Sequence, residues 1–253
     1  MNELGVVVIT GGAQGIGFAT AELVLERGGV PIVLDNNEES LEQARQELGS
    51  SGLETVLCDI TEEIQIEKTI DGVLQKHGLI DSLVNNAGVG AYFDATEMTQ
   101  EQWDLVFSVD LKSSWLMSKH VLPSMKTLRS GSIVNIASIH ARMTVKGMFP
   151  YAAAKSGVIG LTRSLALDVA EFDVRVNAVS PGWTRTRLVD EYFQHQENPR
   201  EAEESVLSVH PLNRICEPRE VAEVVCFLAG NRSTAVTGAE FCVDAGLGAR
   251  FAT

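Results

Sequence analysis

The chain has 253 residues, with 20 basic against 34 acidic side chains and a formal net charge of −14. This length suits one large α/β domain or two small ones, and no linker divides it, so we expect a single domain over residues 1–253. Nucleic acid and anionic membranes would repel so acidic a chain, which excludes both as expected partners.

Short apolar runs rich in β-branched residues alternate along the chain with segments of helical period. The predicted strands are 6–10, 30–35, 54–59, 80–86, 131–137, 174–180 and 239–244. The longest helical stretches between them cover about 101–128 and 151–170. This order predicts an α/β fold in which about seven strands form a doubly wound parallel sheet with helices on both faces.

The segment from Pro181 to about Pro218 interrupts the alternation. It is polar and irregular, and it lies between the sixth predicted strand and the helix that follows. Insertions of this length after a strand are typical of functional loops, so we predict a substrate lid at about 183–215. A helical surface excursion is the alternative.

The start of the chain, MNELGVVVIT, lacks the basic segment and long apolar run of a signal peptide or membrane span, which predicts a cytoplasmic protein. The four cysteines form no C-x-x-C pair, and the five histidines form no metal-ligand spacing. We therefore expect reduced thiols and no bound metal.

The first predicted strand runs directly into TGGAQGIG, residues 10–17, and then into a helix. Glycines at 11, 15 and 17 allow a tight turn and a close approach to a pyrophosphate, whose charge the helix N-terminus would meet. Asp35 ends the second strand about 20 residues past Gly15, where a carboxylate accepts hydrogen bonds from ribose hydroxyls. The combination predicts a dinucleotide site.

The same carboxylate would repel a 2′-phosphate. Its neighbours Asn36 and Asn37, and Ala13 and Gln14 in the glycine turn, supply no cation to hold one. The sequence therefore predicts NAD rather than NADP as the cofactor.

Tyr151 and Lys155 lie at i and i+4 of a predicted helix, about one turn apart on the same face. Because a nearby ammonium stabilises a phenolate, the pair suits general acid and base chemistry. Ser138 follows the fifth predicted strand at the carboxyl edge of the sheet, where doubly wound folds bind ligands. We expect its hydroxyl to hold a substrate oxygen while Tyr151 moves the proton.

With these motifs the chain resembles the short-chain dehydrogenase/reductases over essentially its whole length. The matching motifs are TGGAQGIG at 10–17, NNAG at 85–88, Ser138, YAAAK at 151–155, NAVSPG at 177–182 and VDAG at 243–246. The resemblance implies a Rossmann-type fold with Tyr151 as catalytic acid and base and Ser138 positioning the reacting oxygen. It further implies that Lys155 tunes the tyrosine and binds the nicotinamide ribose.

The resemblance also places Asp59 at the adenine, Asn86 beside the cofactor, and the backbone after Pro181 near the carboxamide. A structural amide at the strand end is the alternative role for Asn86. The expected cofactor-binding residues are Gly11, Gln14, Gly15, Ile16, Gly17, Asp35, Asp59, Ile60, Asn86, Ala87, Gly88, Tyr151, Lys155, Pro181, Gly182, Thr184 and Thr186.

Asp110 departs from the family pattern, which has an asparagine at this position. In the family that asparagine interrupts a helix and holds a water that connects the lysine to solvent. An aspartate can accept from that water or from Lys155, but it offers no donor and tends to raise the pKa of Lys155. We expect Asp110 to belong to the proton relay.

The reaction implied is reversible hydride transfer between a secondary alcohol and NAD. Predicted substrate contacts are His140 and Arg142 near the serine, and Trp183 and Arg187 in the lid. Such donors beside an aromatic face suit a polyhydroxylated or carboxylated small molecule. The stretches IHARMTVKGMFPYAAAK and PGWTRTRL, with the tail GARFAT, resemble family members that oxidise sugars and polyols, which makes this substrate class the expectation.

Two other functions stay open. A large branch of the family reduces 3-oxoacyl groups on acyl carrier protein; Asp35, the net charge and the acidic run 171–173 disfavour this role, with Arg129 a partial counterexample. A non-catalytic NAD(H)-binding sensor or interaction protein is the other, supported by Asp110 alone. The long helices carry more apolar surface than one sheet face would cover, so the resemblance implies a homotetramer, or failing that a homodimer.

Overall fold

A computed structural model describes residues 4–49 and 52–250. Its strands form the seven-stranded sheet that the sequence pattern predicts. Its strands are β1 Val6–Thr10, β2 Val30–Asp35, β3 Glu54–Leu57, β4 Ser82–Asn85, β5 Gly131–Ile136, β6 Val174–Pro181 and β7 Glu240–Val243. They pair in the order β3-β2-β1-β4-β5-β6-β7, every neighbouring pair parallel. This confirms the predicted fold class. The last three residues of GARFAT and the first three of MNELGVVVIT lie outside the described residues.

Helices cover both faces of this sheet. They are α1 Gly15–Glu26, α2 Glu38–Leu48, α3 Glu63–His77, α4 Gln100–Phe107, α5 Ser113–Leu128, α6 Phe149–Val169, α7 Arg187–Gln194, α8 Pro199–Ser208 and α9 Pro218–Ala229. Side chains alternate between the faces along each strand: Val7 and Ile9 enter the core under α1, α2 and α9, whereas Val8 enters the core under α3, α5 and α6. Because both faces are buried, the strands read as continuous apolar runs.

The strand order reverses at β1, which lies between β2 and β4. A crevice therefore opens at the carboxyl ends of β1 and β4, the place where doubly wound sheets bind ligands. Thr10, the last residue of β1, accepts hydrogen bonds at its Oγ1 from the backbone N–H groups of Asn86 (3.0 Å) and Ala87 (3.1 Å). Thr10 thus fixes the loop after β4 against the glycine turn after β1.

The helix predicted over 101–128 is interrupted. A five-residue π-helical turn, Ser108–Lys112, separates α4 from α5, and Asp110 lies buried within it. Turns of this kind widen a helix locally and are frequent at functional sites. The interruption that the family resemblance implied at Asp110 is present in the backbone.

The predicted lid contains two helices, α7 and α8, instead of the irregular chain that its polar sequence indicated. Each carries an Arg–Glu ion pair at i and i+4 with a distance of 2.9 Å, Arg187 with Glu191 and Arg200 with Glu204. Such pairs stabilise polar helices whose apolar periodicity is weak. At the base of the segment, the backbone N–H of Arg185 donates to the carbonyl of Cys216 at 2.8 Å, which ties its two ends together.

Candidate active site

Two adjoining cavities open at the carboxyl edge of the sheet. The first, about 480 Å³ in volume, is termed the nucleotide cavity; the second, about 550 Å³, is termed the substrate cavity. Predicted cofactor residues on the wall of the nucleotide cavity are Gly11, Gln14, Gly15, Asp35, Asp59, Ile60, Asn86, Ala87, Gly88 and Thr186. Predicted residues on the wall of the substrate cavity are Ile16, Asn86, Gly88, Ser138, His140, Tyr151, Lys155, Pro181, Gly182, Trp183, Thr184 and Thr186.

The glycine turn is shaped to receive an anion. Gly11 and Gly15 have positive φ angles, +59° and +58°, which side chains disfavour. A Cβ on Gly17 would lie 2.5 Å from the carbonyl oxygen of Gly11, so only glycine lets α1 approach the turn so closely. Helix α1 has no side-chain cap and no acidic residue in its first turn, which leaves its N–H groups available to a pyrophosphate. The residues present therefore fit a dinucleotide.

The carboxylate of Asp35 is held in place at the end of β2. It accepts hydrogen bonds from the backbone N–H of Ala13 at 3.3 Å and of Asn37 at 3.1 Å. No basic residue within the described ranges contacts it. This end of the cavity can accept hydrogen bonds from ribose hydroxyls, and it offers no cation to a 2′-phosphate.

Asn86 has the structural role that the sequence left open. Its side-chain amide donates to the carbonyl oxygens of Thr10 (3.0 Å) and Gly11 (2.9 Å), which joins the end of β4 to the glycine turn. The residue also lies on the walls of both cavities. Thr10, its partner in this link, was missed by the sequence analysis because a threonine at a strand end carries no distinctive spacing.

The candidate catalytic groups Tyr151, Lys155 and Ser138 come from two elements, α6 and the turn after β5. Tyr151 is on the first turn of α6, and Lys155 is one turn later with 3% of its surface exposed. The Nζ of Lys155 lies 5.5 Å from the centre of the Tyr151 ring and donates to the carbonyl of Ile136 at 3.2 Å. Ser138 is buried just past β5, and its Oγ accepts from the N–H of His140 at 3.2 Å.

Asp110 pairs directly with the lysine. Its Oδ1 lies 3.2 Å from Nζ of Lys155 and accepts from the N–H of Val89 at 3.2 Å, whereas its Oδ2 has no protein partner among the described residues. Burial raises the pKa of Asp110 against the opposing effect of Lys155. Burial alone would lower the pKa of Lys155, but Tyr151 and Asp110 outweigh it and raise that pKa. The lysine therefore keeps its positive charge at neutral pH.

His140 forms the wall next to the tyrosine. Its ring lies edge-on to the Tyr151 ring at 5.7 Å, and its Nδ1 is 2.9 Å from Oγ1 of Thr144. Burial lowers the pKa of His140, so the imidazole is neutral at pH 7 and can exchange hydrogen bonds without carrying charge.

Aromatic rings from the lid form the opposite wall of the substrate cavity. Trp183 stacks on Phe193 at 5.8 Å and contacts Tyr192 at 5.3 Å, and Tyr92 stacks on Tyr192 at 6.5 Å. The sequence analysis did not identify Tyr92. Its one available signal was its position a few residues past β4, at the carboxyl edge where ligands bind.

Two predicted substrate contacts are placed elsewhere. Arg142 does not line the substrate cavity, because its guanidinium binds the carboxylate of Glu240 through contacts of 2.7 and 3.1 Å. Arg187 lies on the wall of the nucleotide cavity instead. Only His140 and Trp183 of the four predicted contacts reach the substrate cavity.

The described residues hold neither a cluster of metal-ligating side chains nor a helix able to span a membrane. Nowhere in 4–49 and 52–250 do three or more His, Cys, Asp or Glu side chains gather in a way that could hold a metal ion. Within the same ranges, no helix has the length and apolar character needed to cross a membrane.

A comparison with protein families agrees with this geometry. A family model described as Enoyl-(Acyl carrier protein) reductase matches residues 11–248. The chain belongs to the short-chain dehydrogenase/reductase family of oxidoreductases, whose members typically bind NAD(H) or NADP(H). This confirms the family that the sequence motifs indicated.

Individual relatives differ in their activities. The chain is 39% identical over 244 residues to a 3-oxoacyl-(acyl-carrier-protein) reductase of Thermotoga maritima, covering 96% of this chain and 97% of that one. A crystal structure of levodione reductase is 33% identical, with a TM-score of 0.93 over 98% of both chains. The ligand-free aldohexose dehydrogenase of Thermoplasma acidophilum is also 33% identical, with a TM-score of 0.90 over 98% of this chain and 96% of that one.

Proposed function

We propose that the protein is an NAD-dependent dehydrogenase that moves a hydride reversibly between a secondary alcohol, a sugar or polyol, and the corresponding carbonyl. The observation that carries this proposal is the meeting of Ser138, Tyr151 and Lys155 on the wall of a cavity that adjoins the nucleotide cavity. A bound nicotinamide supplies the hydride acceptor for alcohol oxidation and the hydride donor for carbonyl reduction.

The side chains divide the proton chemistry between them. Ser138 donates a hydrogen bond from its hydroxyl to the substrate oxygen and holds that oxygen near the Tyr151 phenol. Tyr151 accepts the alcohol proton during oxidation and returns it during reduction. Lys155 stabilises the phenolate through its charge, and Asp110 keeps that lysine charged and in position.

The nucleotide preference rests on Asp35. Its carboxylate lines the nucleotide cavity with no cation beside it in the described part of the chain, and a 2′-phosphate there would meet negative charge. This supports NAD over NADP.

The substrate class rests on the wall of the substrate cavity. Trp183, Tyr192 and Tyr92 present aromatic faces, and His140 presents a neutral imidazole. Among the described side chains, Lys155 is the one lysine or arginine on this wall, and Asp110 already pairs with it. The wall therefore favours a neutral polyhydroxylated molecule over a carboxylated one, since sugar rings stack on aromatic faces while their hydroxyls hydrogen-bond.

The test is NADH formation by the purified protein with NAD⁺ and a panel of aldoses, deoxy sugars, sugar acids, polyols and 3-hydroxyacyl thioesters. We expect turnover with neutral sugars or polyols and its loss in Tyr151→Phe, with NADH binding retained in both proteins. Near-normal turnover by Tyr151→Phe would remove the tyrosine from the mechanism. NADH binding without turnover by the wild-type protein on a broad panel would favour a non-catalytic sensor.

Reduction of 3-oxoacyl groups is the second candidate, favoured by the 39% identity to the Thermotoga maritima enzyme. The net charge of −14 disfavours docking of an acidic carrier protein. Arg129 is the partial counterexample, because its ion pair with Asp173 at 2.7 Å is open to solvent and can be exchanged. Turnover with acetoacetyl thioesters and none with sugars would replace the sugar assignment by this one.

A further inference from the structure

The nucleotide cavity carries an unbalanced set of charges. Asp35, Asp59 and Glu191 contribute carboxylates to its wall, and Arg187 is the single basic residue described there. A dinucleotide brings two further negative charges on its pyrophosphate. Backbone N–H groups of the glycine turn can bind those oxygens, but they supply no full positive charge to offset three carboxylates.

Arg187 lies near the point where the pyrophosphate would rest. The preceding residue, Thr186, packs against the glycine turn: a Cβ on Gly15 would be 3.3 Å from its Cγ2. Arg187 therefore begins α7 immediately beside the turn that begins α1. A guanidinium also has the planar, paired donors that suit phosphate oxygens.

In the structure, this guanidinium forms an ion pair with Glu191. Nε of Arg187 lies 2.9 Å from Oε1 of Glu191, and the two side chains are 74% and 47% exposed. An ion pair this open to solvent contributes little stability, so a doubly charged pyrophosphate can displace the carboxylate.

We propose that Arg187 binds the pyrophosphate of the dinucleotide, and that it does so by exchanging Glu191 for the phosphate oxygens. This inference rests on the proposed function in one respect, the binding of a dinucleotide. It reassigns Arg187 from the substrate to the cofactor.

The exchange has a consequence for the substrate. Glu191 lies on the walls of both cavities. Once Arg187 turns to the pyrophosphate, the Glu191 carboxylate is free to accept hydrogen bonds from the hydroxyl groups of a substrate. Nucleotide binding thereby makes Glu191 available to the substrate.

The test compares Arg187→Ala with Arg200→Ala. Arg200 is a matched control because it makes the same i, i+4 pair with Glu204 at 2.9 Å on the other lid helix, outside both cavities. Dissociation constants of NADH, ADP-ribose and adenosine are measured by calorimetry or fluorescence. We expect Arg187→Ala to weaken NADH and ADP-ribose on the order of tenfold, as for loss of a charged hydrogen bond, and to leave adenosine unchanged. Arg200→Ala should match the wild type.

Equal NADH affinity in Arg187→Ala and the wild type would overturn the inference while leaving the proposed function intact. Failure of the wild-type protein to bind NADH would instead overturn the proposed function. The exchange itself is tested by Glu191→Gln, which should tighten NADH binding in the wild-type background more than in Arg187→Ala. An equal gain in both backgrounds would show simple repulsion by Glu191 and no exchange of partners.

Discussion

Among single residues, Asp110 changes the electrostatics of the candidate active site. A family asparagine would be neutral beside Lys155, whereas the carboxylate stands 3.2 Å from the ammonium in a buried environment. Buried ion pairs form only when the partners compensate each other for the loss of water, and here Oδ2 is left without a protein partner in the described residues. The pair therefore serves the charge state of Lys155 more than the stability of the fold.

Asp110→Asn should shift the pH dependence of the reaction. The pKa of Lys155 is raised in part by Asp110, so removing the negative charge lets it fall toward its ordinary value. Below that pKa the lysine is charged and supports the phenolate, so the alkaline limit of kcat/KM moves to lower pH. The measurement is the pH profile of NAD⁺ reduction. The exposed Asp104→Asn should leave the profile in place, and an unchanged profile in Asp110→Asn would remove Asp110 from the relay.

The proposed preference for NAD also rests on one residue, Asp35. Asp35→Asn keeps the acceptor for the N–H of Ala13 but removes the charge that would repel a 2′-phosphate. We expect the ratio of kcat/KM for NAD⁺ to that for NADP⁺ to fall about tenfold, as for one charged hydrogen bond. The exposed Glu39→Gln serves as control. Comparable efficiencies with both nucleotides in the wild type would contradict the NAD assignment.

At the scale of elements, a polar contact connects β6, β7 and the turn after β5. The carboxylate of Glu240 on β7 has 4% of its side chain exposed, and it accepts from Arg142 and, at 2.7 Å, from Ser180 on β6. Arg142 ends the short helical turn that Ser138 begins. Glu240 therefore holds the backbone that carries Ser138, although it contacts neither cavity.

Glu240→Gln should destabilise the protein in a pH-dependent way. Burial alone would raise the pKa of Glu240, but the hydrogen bonds from Arg142 and Ser180 outweigh it and lower that pKa below its unfolded value. The stability this gives is therefore present above the unfolded pKa and is lost as pH falls through the folded one. We expect a loss of roughly 1–2 kcal/mol at pH 7 that shrinks below about pH 4.5. Thermal unfolding against pH measures it.

The control for this prediction is Glu204→Gln, because Glu204 also pairs with an arginine but both side chains are largely exposed, 62% and 88%. An exposed pair should contribute almost nothing. Equal melting temperatures for Glu240→Gln and Glu204→Gln at pH 7 would show that the contact to Arg142 does not stabilise the turn.

At the scale of the whole molecule, the chain exposes large apolar side chains on α5 and α6. Trp115 and Leu167 are 47% and 81% exposed, and Trp103 on α4 is exposed as well. Large apolar side chains exposed on these helices suit an interface between copies of the chain. We predict a homotetramer, or else a homodimer.

Light scattering at micromolar concentration tests the assembly. Trp115→Glu and Leu167→Glu place a charge on the apolar surface and should lower the measured mass. Leu57→Glu, on the edge strand β3, is the control and should leave the mass unchanged. A monomeric wild-type protein would contradict both predicted states.

Features that depend on local spacing could be predicted from the sequence. Apolar runs predicted the strands because each strand is buried on both faces, and the largest discrepancy, β4 at Ser82–Asn85 instead of 80–86, affects only three residues at its ends. The glycine turn, Asp35 and the Tyr151–Lys155 pair were predictable because their chemistry requires set distances along one turn, one strand or one helix.

Which side chains meet across the fold could not be predicted from local spacing. Arg142 was predicted at the substrate, yet it binds Glu240, 98 residues further along the chain. Arg187 was predicted there too, yet it lies on the nucleotide cavity. Tyr92 stacks on Tyr192 of the lid, and its only signal in the sequence was its position a few residues past β4. Local sequence patterns predict on which face of a helix or strand a side chain lies. The partner across a cavity depends on packing between distant elements, since long flexible side chains can reach several partners from one backbone position.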